Sequence, residues 1–272
     1  MRDSTNQDLA GQIGRMLYQE AALAYPESKR SFVEERVRGV MADRGCSDEQ
    51  TFVRSVEADP GLRTALIESL TIHETRFFRI PAQFEALGKL LPELAERRRR
   101  SPLECPRLRL WVAACSTGED AYSLAMKVLA LADPRWSAEI RATDLSRAVI
   151  RQAQAARYPA ERLENLPPGY RERFFTELPG GLEVVPSVRE LVRFEAHNLK
   201  APCPPGPWDL ILCRNVLIYF DNPFREALLE RLYQALTPGG YLFVGEAETL
   251  HLVPHRFKPV EVGSALVYQR PL

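Results

Sequence analysis

Polar groups recur at one place in the pattern of this 272-residue chain: just beyond short apolar runs. Cys115, Ser116, Thr117, Gly118 and Glu119 follow "LRLWVAA". Asp144 closes "AEIRATD", Asn198 closes "LVRFEAHN", and Arg214 and Asn215 close "WDLILCRN", with Tyr219 close behind. If the runs are parallel strands, these groups lie beyond their carboxyl ends, where open α/β sheets bind ligands. An acid ending the second strand is how such sheets hold a pair of ribose hydroxyls, which fits either a dinucleotide or an adenosyl ligand. The first loop discriminates between them. A pyrophosphate needs several glycines and a helix start free of negative charge, but this loop has one glycine, Gly118, followed by Glu119 and Asp120. Those acids suit an ammonium or a sulfonium. S-adenosylmethionine carries both, with a ribose and no phosphate.

Each residue also fits a plainer role. Ser116 and Glu119 have the spacing of a capping box. Asp144 could cap the helix that starts near Ser146. Asn198 could be a turn residue, and Arg214 could pair with a nearby carboxylate. The agreement of all four strand ends favours the ligand reading. Upstream, "TIHETRFFRIPAQF" (71–84) places Arg79 where a bidentate cation could grip a carboxylate. Phe77 and Phe78 read as anchors to the core. His73 alone carries little signal. "RRRR" at 97–100 reads as a solvated helix end or as charge offered to an acidic partner.

The elements that must position these groups change character along the chain. Residues 1–95 read as a helical domain and a linker. Val33, Val37, Val40 and Met41 fall on one helix face, a helical pair breaks at Pro60-Gly61, and "PAQFEALGKLLPELAERRRR" forms a further helix. Residues 96–272 read as α/β. Strands are expected near 109–114, 138–144, 191–198, 208–215 and 241–246, with helices at 119–132, 146–157 and 223–236. A hairpin around Gly263-Ser264 is appended to the sheet. The stretch 158–190, rich in Pro and Gly, reads as a small insertion turning at 179–181.

Composition narrows the class of partner. Lys and Arg total 36 and Asp and Glu total 36, so nothing global draws the chain to nucleic acid or to an anionic membrane. No apolar run approaches the roughly 20 residues of a membrane span, and the N-terminus lacks the apolar core of a secretion signal. The five cysteines are scattered without metal-ligand spacing. The expectation is a cytoplasmic protein with reduced thiols and no metal.

"TIHETRFFR", "WVAACSTGEDAYSLA", "ATDLSRAVIRQAQAARYP" and "LILCRNVLIYFD…LLERLYQALTPGGYLFVGEAE" together resemble the CheR family, chemotaxis methyltransferases that esterify receptor glutamates. The likeness runs from about residue 16 to 272. It implies a Rossmann-like class I methyltransferase sheet, a helical N-terminal substrate-recognition domain, and a small inserted antiparallel β-subdomain. It implies S-adenosylmethionine as cofactor and S-adenosylhomocysteine as product. By that resemblance Thr75 and Arg79 contact the methionine moiety, Arg79 at its carboxylate. Glu119 sits near the amino-acid and ribose end, Asp144 binds the ribose hydroxyls, and Asn198 and Leu199 line the adenine pocket. Arg214 and Asn215 complete the site. Arg79 and Tyr219 are the catalytic candidates, Tyr219 close to the methyl group. Position 73 is His where the family usually has Asn, and His73 is kept as a cofactor contact.

The family's pentapeptide-binding members carry a glycine-rich turn in the β-subdomain. "FFTELPGGLEVV" is shorter and lacks it, so independence from pentapeptide tethering is expected. The implied partner is the cytoplasmic helical domain of a methyl-accepting receptor, met by a monomer. Between 29 and 44, Lys29, Arg30, Arg36, Arg38 and Arg44 outnumber Glu34, Glu35 and Asp43, which suits an acidic receptor helix or simply a solvated surface. Competing readings are a nicotinamide oxidoreductase, opposed by the missing glycines, and a non-catalytic S-adenosylmethionine-binding regulator. A third keeps the chemistry but acts on a signalling protein outside chemotaxis.

Overall fold

Apolar residues at helical spacing before residue 71 become four helices in the computed structural model, which describes residues 9–71, 74–101 and 103–272. They are α1 (Leu9–Ala21), α2 (Arg30–Asp43), α3 (Glu49–Ala58) and α4 (Pro60–Leu70). Helix α2 buries Val33, Val37 and Met41, while Val40 of the expected face is half-buried. Asp59 breaks the helical pair. Its carboxylate accepts from Gly61 N at 2.8 Å, and Pro60 takes the first helical position.

The chain divides into two units, Met1–Ile72 with Ile218–Arg225, and His73–Leu217 with Glu226–Leu272. The division leaves residues 74–95 in the sheet unit. The reason lies in α5 (Pro81–Arg98), which buries Phe84, Leu87, Leu90, Leu91 and Leu94 in the core of the sheet unit.

After α5 the elements run β1 (Arg107–Ala113), α6 (Glu119–Leu131), β2 (Ser137–Asp144), α7 (Arg147–Ala155) and β3 (Arg157–Tyr158). Then come α8 (Tyr170–Phe174), β4 (Phe175–Leu178), β5 (Gly181–Val184), α9 (Pro186–Arg189), β6 (Val192–Ala196) and β7 (Trp208–Cys213). The last are α10 (Asn222–Ala235), β8 (Leu236–Phe243), β9 (Lys258–Val262) and β10 (Ala265–Gln269). The main sheet has the order β6-β2-β1-β7-β8-β10-β9. Its first five members pair in parallel, and β10 and β9 are antiparallel. The order reverses beside β1, the topological switch at which ligands bind in such sheets. Strand β7 is buried at all six positions, as a central parallel strand must be. The insertion forms a second sheet, β3-β5-β4, its hairpin closing at Leu178↔Gly181.

Three arginines of the run at the end of α5 have partners, although Arg97 and Arg100 are exposed. Arg97 Nη1 donates to Gly239 O at 2.9 Å. Arg98 Nε donates to Asp209 Oδ1 at 2.6 Å, and Arg99 Nε pairs with Glu96 at 3.2 Å. Asp209, 2% exposed, also accepts from Arg109 N at 2.8 Å. Burial pushes its carboxyl up, with the arginines opposing. This run fastens the helix end to the amino edge of the sheet.

Candidate functional site

The β1–α6 loop departs from the capping box expected of it. The residue before α6 is Gly118, at φ +98°, and no side chain caps the helix. Glycine is required there on two counts. The torsion is left-handed, and a Cβ would lie 2.9 Å from Ala153 Cβ and 3.1 Å from the Tyr158 hydroxyl. Ser116 sits two residues too early to cap, itself at φ +50°, and its hydroxyl has no partner. Glu119 does not reach back to Ser116. Its Oε2 accepts from Thr117 Oγ1 at 2.7 Å, and its Oε1 accepts no hydrogen bond, with Arg162 Nη1 3.6 Å away. Glu119 is 0% exposed, and burial raises its carboxyl above the ordinary value. A buried carboxylate oxygen without a donor calls for one, and an ammonium would supply it.

Asp144 sits where β2 ends, 8% exposed. Its Oδ2 accepts from Ser116 N at 2.8 Å and its Oδ1 from Ser146 N at 3.0 Å. It thus joins the loops after β1 and β2. The N-cap of α7 is Ser146, whose hydroxyl accepts from Val149 N, not Asp144. His197 follows β6 and its N–H donates to Asp144 O at 2.8 Å. Burial lowers its imidazole below the ordinary value. Asn198 makes the turn its residue type allows, Oδ1 accepting from Lys200 N at 2.9 Å, beside the buried Leu199.

Two further strand ends mirror this. Glu248, past β8, accepts from Asn215 N at 2.6 Å and Gly245 N at 2.7 Å. It joins the loops after β7 and β8 as Asp144 joins those after β2 and β1. Arg214, 5% exposed, has its Nη1 on Asp120 Oδ1 at 2.9 Å and its Nη2 on the carbonyl of Arg79. The plain reading of Arg214 as a carboxylate partner therefore holds, and Asp120 has a place. Burial pushes the Asp120 carboxyl up, while Arg214 and Arg79 oppose it. An arginine does not give up its proton in a protein, so Arg214 stays charged.

The "TRFFR" segment arrives beside these residues through the insertion. Arg162 donates to Thr75 O and accepts from Phe77 N at 3.1 Å. Tyr158 OH donates to Thr117 O at 2.6 Å, and its ring meets Phe77 edge-on at 4.8 Å. Phe78 packs on Phe84 and Tyr170, so the phenylalanines are the anchors expected. Arg79 is half-buried, with Nη1 donating to Glu74 O at 3.0 Å.

Thr75, Arg79, Glu119, Asp144, Asn198, Leu199, Arg214 and Asn215 all lie in the sheet unit. Tyr219 lies in the other unit, where its carbonyl accepts from Ala24 N at 2.8 Å. His73 is outside the described residues. Sequence reasoning did not find Asp120's partner, Ser123, Arg162 or Glu248. Only Glu248 carried a signal, the acid that closes "YLFVGEAE" past another strand end. Among the described residues no group of three or more His, Cys, Asp or Glu could hold a metal, and no helix is long and apolar enough to cross a membrane.

Residues 73–266 match the CheR methyltransferase SAM binding domain, and 11–71 match the CheR methyltransferase all-alpha domain. The chain is 35% identical over 256 residues to the chemotaxis protein methyltransferase of Escherichia coli, covering 90% of this chain and 85% of that one. It is 33% identical over 254 residues to chemotaxis protein methyltransferase Cher2 of Pseudomonas putida, covering 89% and 90%. It is also 33% identical over 263 residues to the probable biofilm formation methyltransferase WspC of Pseudomonas aeruginosa. There it covers 94% of this chain but spans only 60% of the relative's length.

Proposed function

The chain belongs to the CheR methyltransferase family, and from that premise we propose that it methylates glutamate side chains of a chemoreceptor-type signalling protein. It is an S-adenosylmethionine-dependent methyltransferase. The observation that carries the finer reading is the presence of both family segments, all-alpha and cofactor-binding, in one chain. The residues suit the cofactor. Glu119 Oε1 is a buried acceptor without a hydrogen bond in a loop too poor in glycine for a pyrophosphate.

In this proposal Glu119 takes the cofactor's ammonium and Arg79, with Thr75, its carboxylate. Asp144 takes the ribose hydroxyls. Asn198 and Leu199 flank the adenine, and Arg214 and Asn215 close the site. His73 is a further contact. Bound S-adenosylmethionine supplies a methyl group made electrophilic by its sulfonium.

The substrate glutamate is ionised at neutral pH, since its pKa is about 4.3, so no general base is required. Alignment in a near-attack geometry is what this chain must provide. A hydrogen bond from Tyr219 would orient the substrate carboxylate without quenching its charge as a close ion pair would. The helical unit would meet a receptor's cytoplasmic helical domain as a monomer, in the cytoplasm. On α2, exposed Arg36 stacks over Phe32 at 5.4 Å and Arg38 pairs with Glu34 at 3.3 Å. The β4–β5 hairpin closes in a short turn at Pro179-Gly180, which supports independence from a pentapeptide tether.

A second reading keeps the chemistry and changes the pathway. It is favoured by the likeness to a relative named for biofilm formation. Incubation with methyl-labelled S-adenosylmethionine and candidate receptor domains tests both readings. Base-labile label on glutamate is the expected result, and the domain that takes it decides the pathway. Base-stable label, or none, would remove the glutamate assignment. Micromolar affinity for a receptor C-terminal pentapeptide would remove the tether-free one.

A further inference from the structure

Arg79 stands in a stretch of backbone that does not hold itself. Phe78 has φ +50° and Ile80 has φ +64°. Left-handed torsions cost about 1 kcal/mol or more for residues with a Cβ, and most for a β-branched one such as Ile80. Ile80 is also the residue before α5, and no side chain caps that helix. Something outside the stretch must therefore fix it.

The first turn of α6 faces it. Asp120 and Ser123 are three residues apart and so share a helix face. Ser123, fully buried, accepts from Phe78 N through its hydroxyl at 2.9 Å. Asp120 holds Arg214 at 2.9 Å, and the other arm of that guanidinium donates to Arg79 O. The N–H just before Arg79 and the carbonyl of Arg79 itself are both tied to one helical turn. Phe84 lies under the Arg214 guanidinium at 5.5 Å and against Phe78 at 4.8 Å, which closes the frame. Asp120 also lies within electrostatic reach of the Arg79 side chain.

We infer that Asp120 and Ser123 are positioning residues for Arg79, with Arg214 as the link from Asp120. They hold the strained 78–80 backbone so that Arg79 presents its guanidinium to the cofactor's methionine carboxylate. The inference rests on the proposed role of Arg79 at that carboxylate. It gives Asp120, the acid that would repel a phosphate, a purpose that needs no contact with ligand.

Two ligands separate positioning from general support. S-adenosylhomocysteine carries the amino-acid carboxylate, and 5′-methylthioadenosine lacks it. Calorimetric dissociation constants would be measured for both ligands on the parent, Asp120→Asn, Ser123→Ala, Arg79→Ala and the Arg79→Ala/Asp120→Asn double variant. Asp120→Asn is expected to weaken S-adenosylhomocysteine about tenfold, and Ser123→Ala about threefold, in line with the loss of one buried hydrogen bond each. 5′-Methylthioadenosine should stay within about twofold for both, because the lost bonds act only through the carboxylate contact. The double variant should be no weaker than Arg79→Ala alone, since Asp120 acts through that side chain.

Equal weakening of both ligands, or additive losses in the double variant, would overturn the positioning role. If Asp120→Asn does not fold, Ser123→Ala decides by the same ratio. If Arg79→Ala itself fails to separate the two ligands, the carboxylate role of Arg79 falls and the inference with it. If Arg79→Ala separates them and neither α6 variant does, only the inference falls.

Discussion

The two edges of the same sheet are built differently. At the amino edge, Asp209 is buried yet fully engaged by Arg98 and the Arg109 N–H, and Arg97 caps the Gly239 carbonyl. At the carboxyl edge, Glu119 Oε1 is a buried carboxylate oxygen without a hydrogen bond, whereas the buried atoms without one near the amino edge, Arg99 Nε and Trp136 Nε1, are donors. Backbone torsions divide the same way. Among the described residues, eight non-glycine positions have positive φ. Ala22, Ala132 and Ala156 directly follow helices, where such torsions are ordinary. The others, Phe78, Ile80, Ala114, Ser116 and Asn215, all sit at the carboxyl edge or in the Arg79 loop. Such strain persists where the surroundings over-determine it, and it gathers at functional sites. One edge is optimised for holding the sheet together, the other for holding something else.

Substitutions that trade affinity against stability can break this contrast. The largest effect on affinity is expected from Asp144→Ala, which removes the proposed ribose acceptor and orphans the Ser116 and Ser146 N–H groups. Calorimetry should show S-adenosylhomocysteine binding weakened about a hundredfold. Unchanged affinity would refute the ribose role.

Glu119→Gln comes next and tests the trade directly. A carboxyl raised above 4.5 by burial binds more protons folded than unfolded, so it costs stability increasingly as pH rises past that value. The variant should melt higher than the parent at neutral pH, with the gap closing as pH falls towards 4.5. Its affinity for S-adenosylhomocysteine should fall about tenfold, as one charge-assisted contact becomes neutral. A variant that loses both stability and affinity would make Glu119 merely structural.

Asp209→Ala, at the opposite edge, should do the reverse. Melting should drop by about 5 °C, from roughly 2 kcal/mol of lost buried pairing, with affinity unchanged within about twofold.

The sequence already carried the side of this contrast that depends on residue type. The strand-end positions of Glu119, Asp144, Asn198, Arg214 and Asn215 followed from apolar runs alone. The insertion followed from a stretch rich in Pro and Gly, and the terminal hairpin from Gly263-Ser264 between two apolar runs. What it did not carry is set by torsions and by partners distant in the chain. Ser116 has the right type and spacing to cap α6, but at φ +50° the helix starts beyond Gly118. The arginines after α5 look solvated until β7 and β8 bring Asp209 and Gly239 beside them, 111 and 142 residues away in sequence. Asp120 is 94 residues from Arg214. Helix α5 reads as one more helix after the first four, and only its apolar face, buried in the sheet core, assigns it to the second unit.

The claim underlying all of this is that the strained carboxyl edge is where the cofactor lies. A crystal structure with S-adenosylhomocysteine bound measures that directly. The account predicts its ammonium on Glu119 Oε1, its carboxylate on Arg79 and its ribose hydroxyls on Asp144. Density on any other face, or a ligand turned so that Glu119 Oε1 stays without a donor, would contradict it.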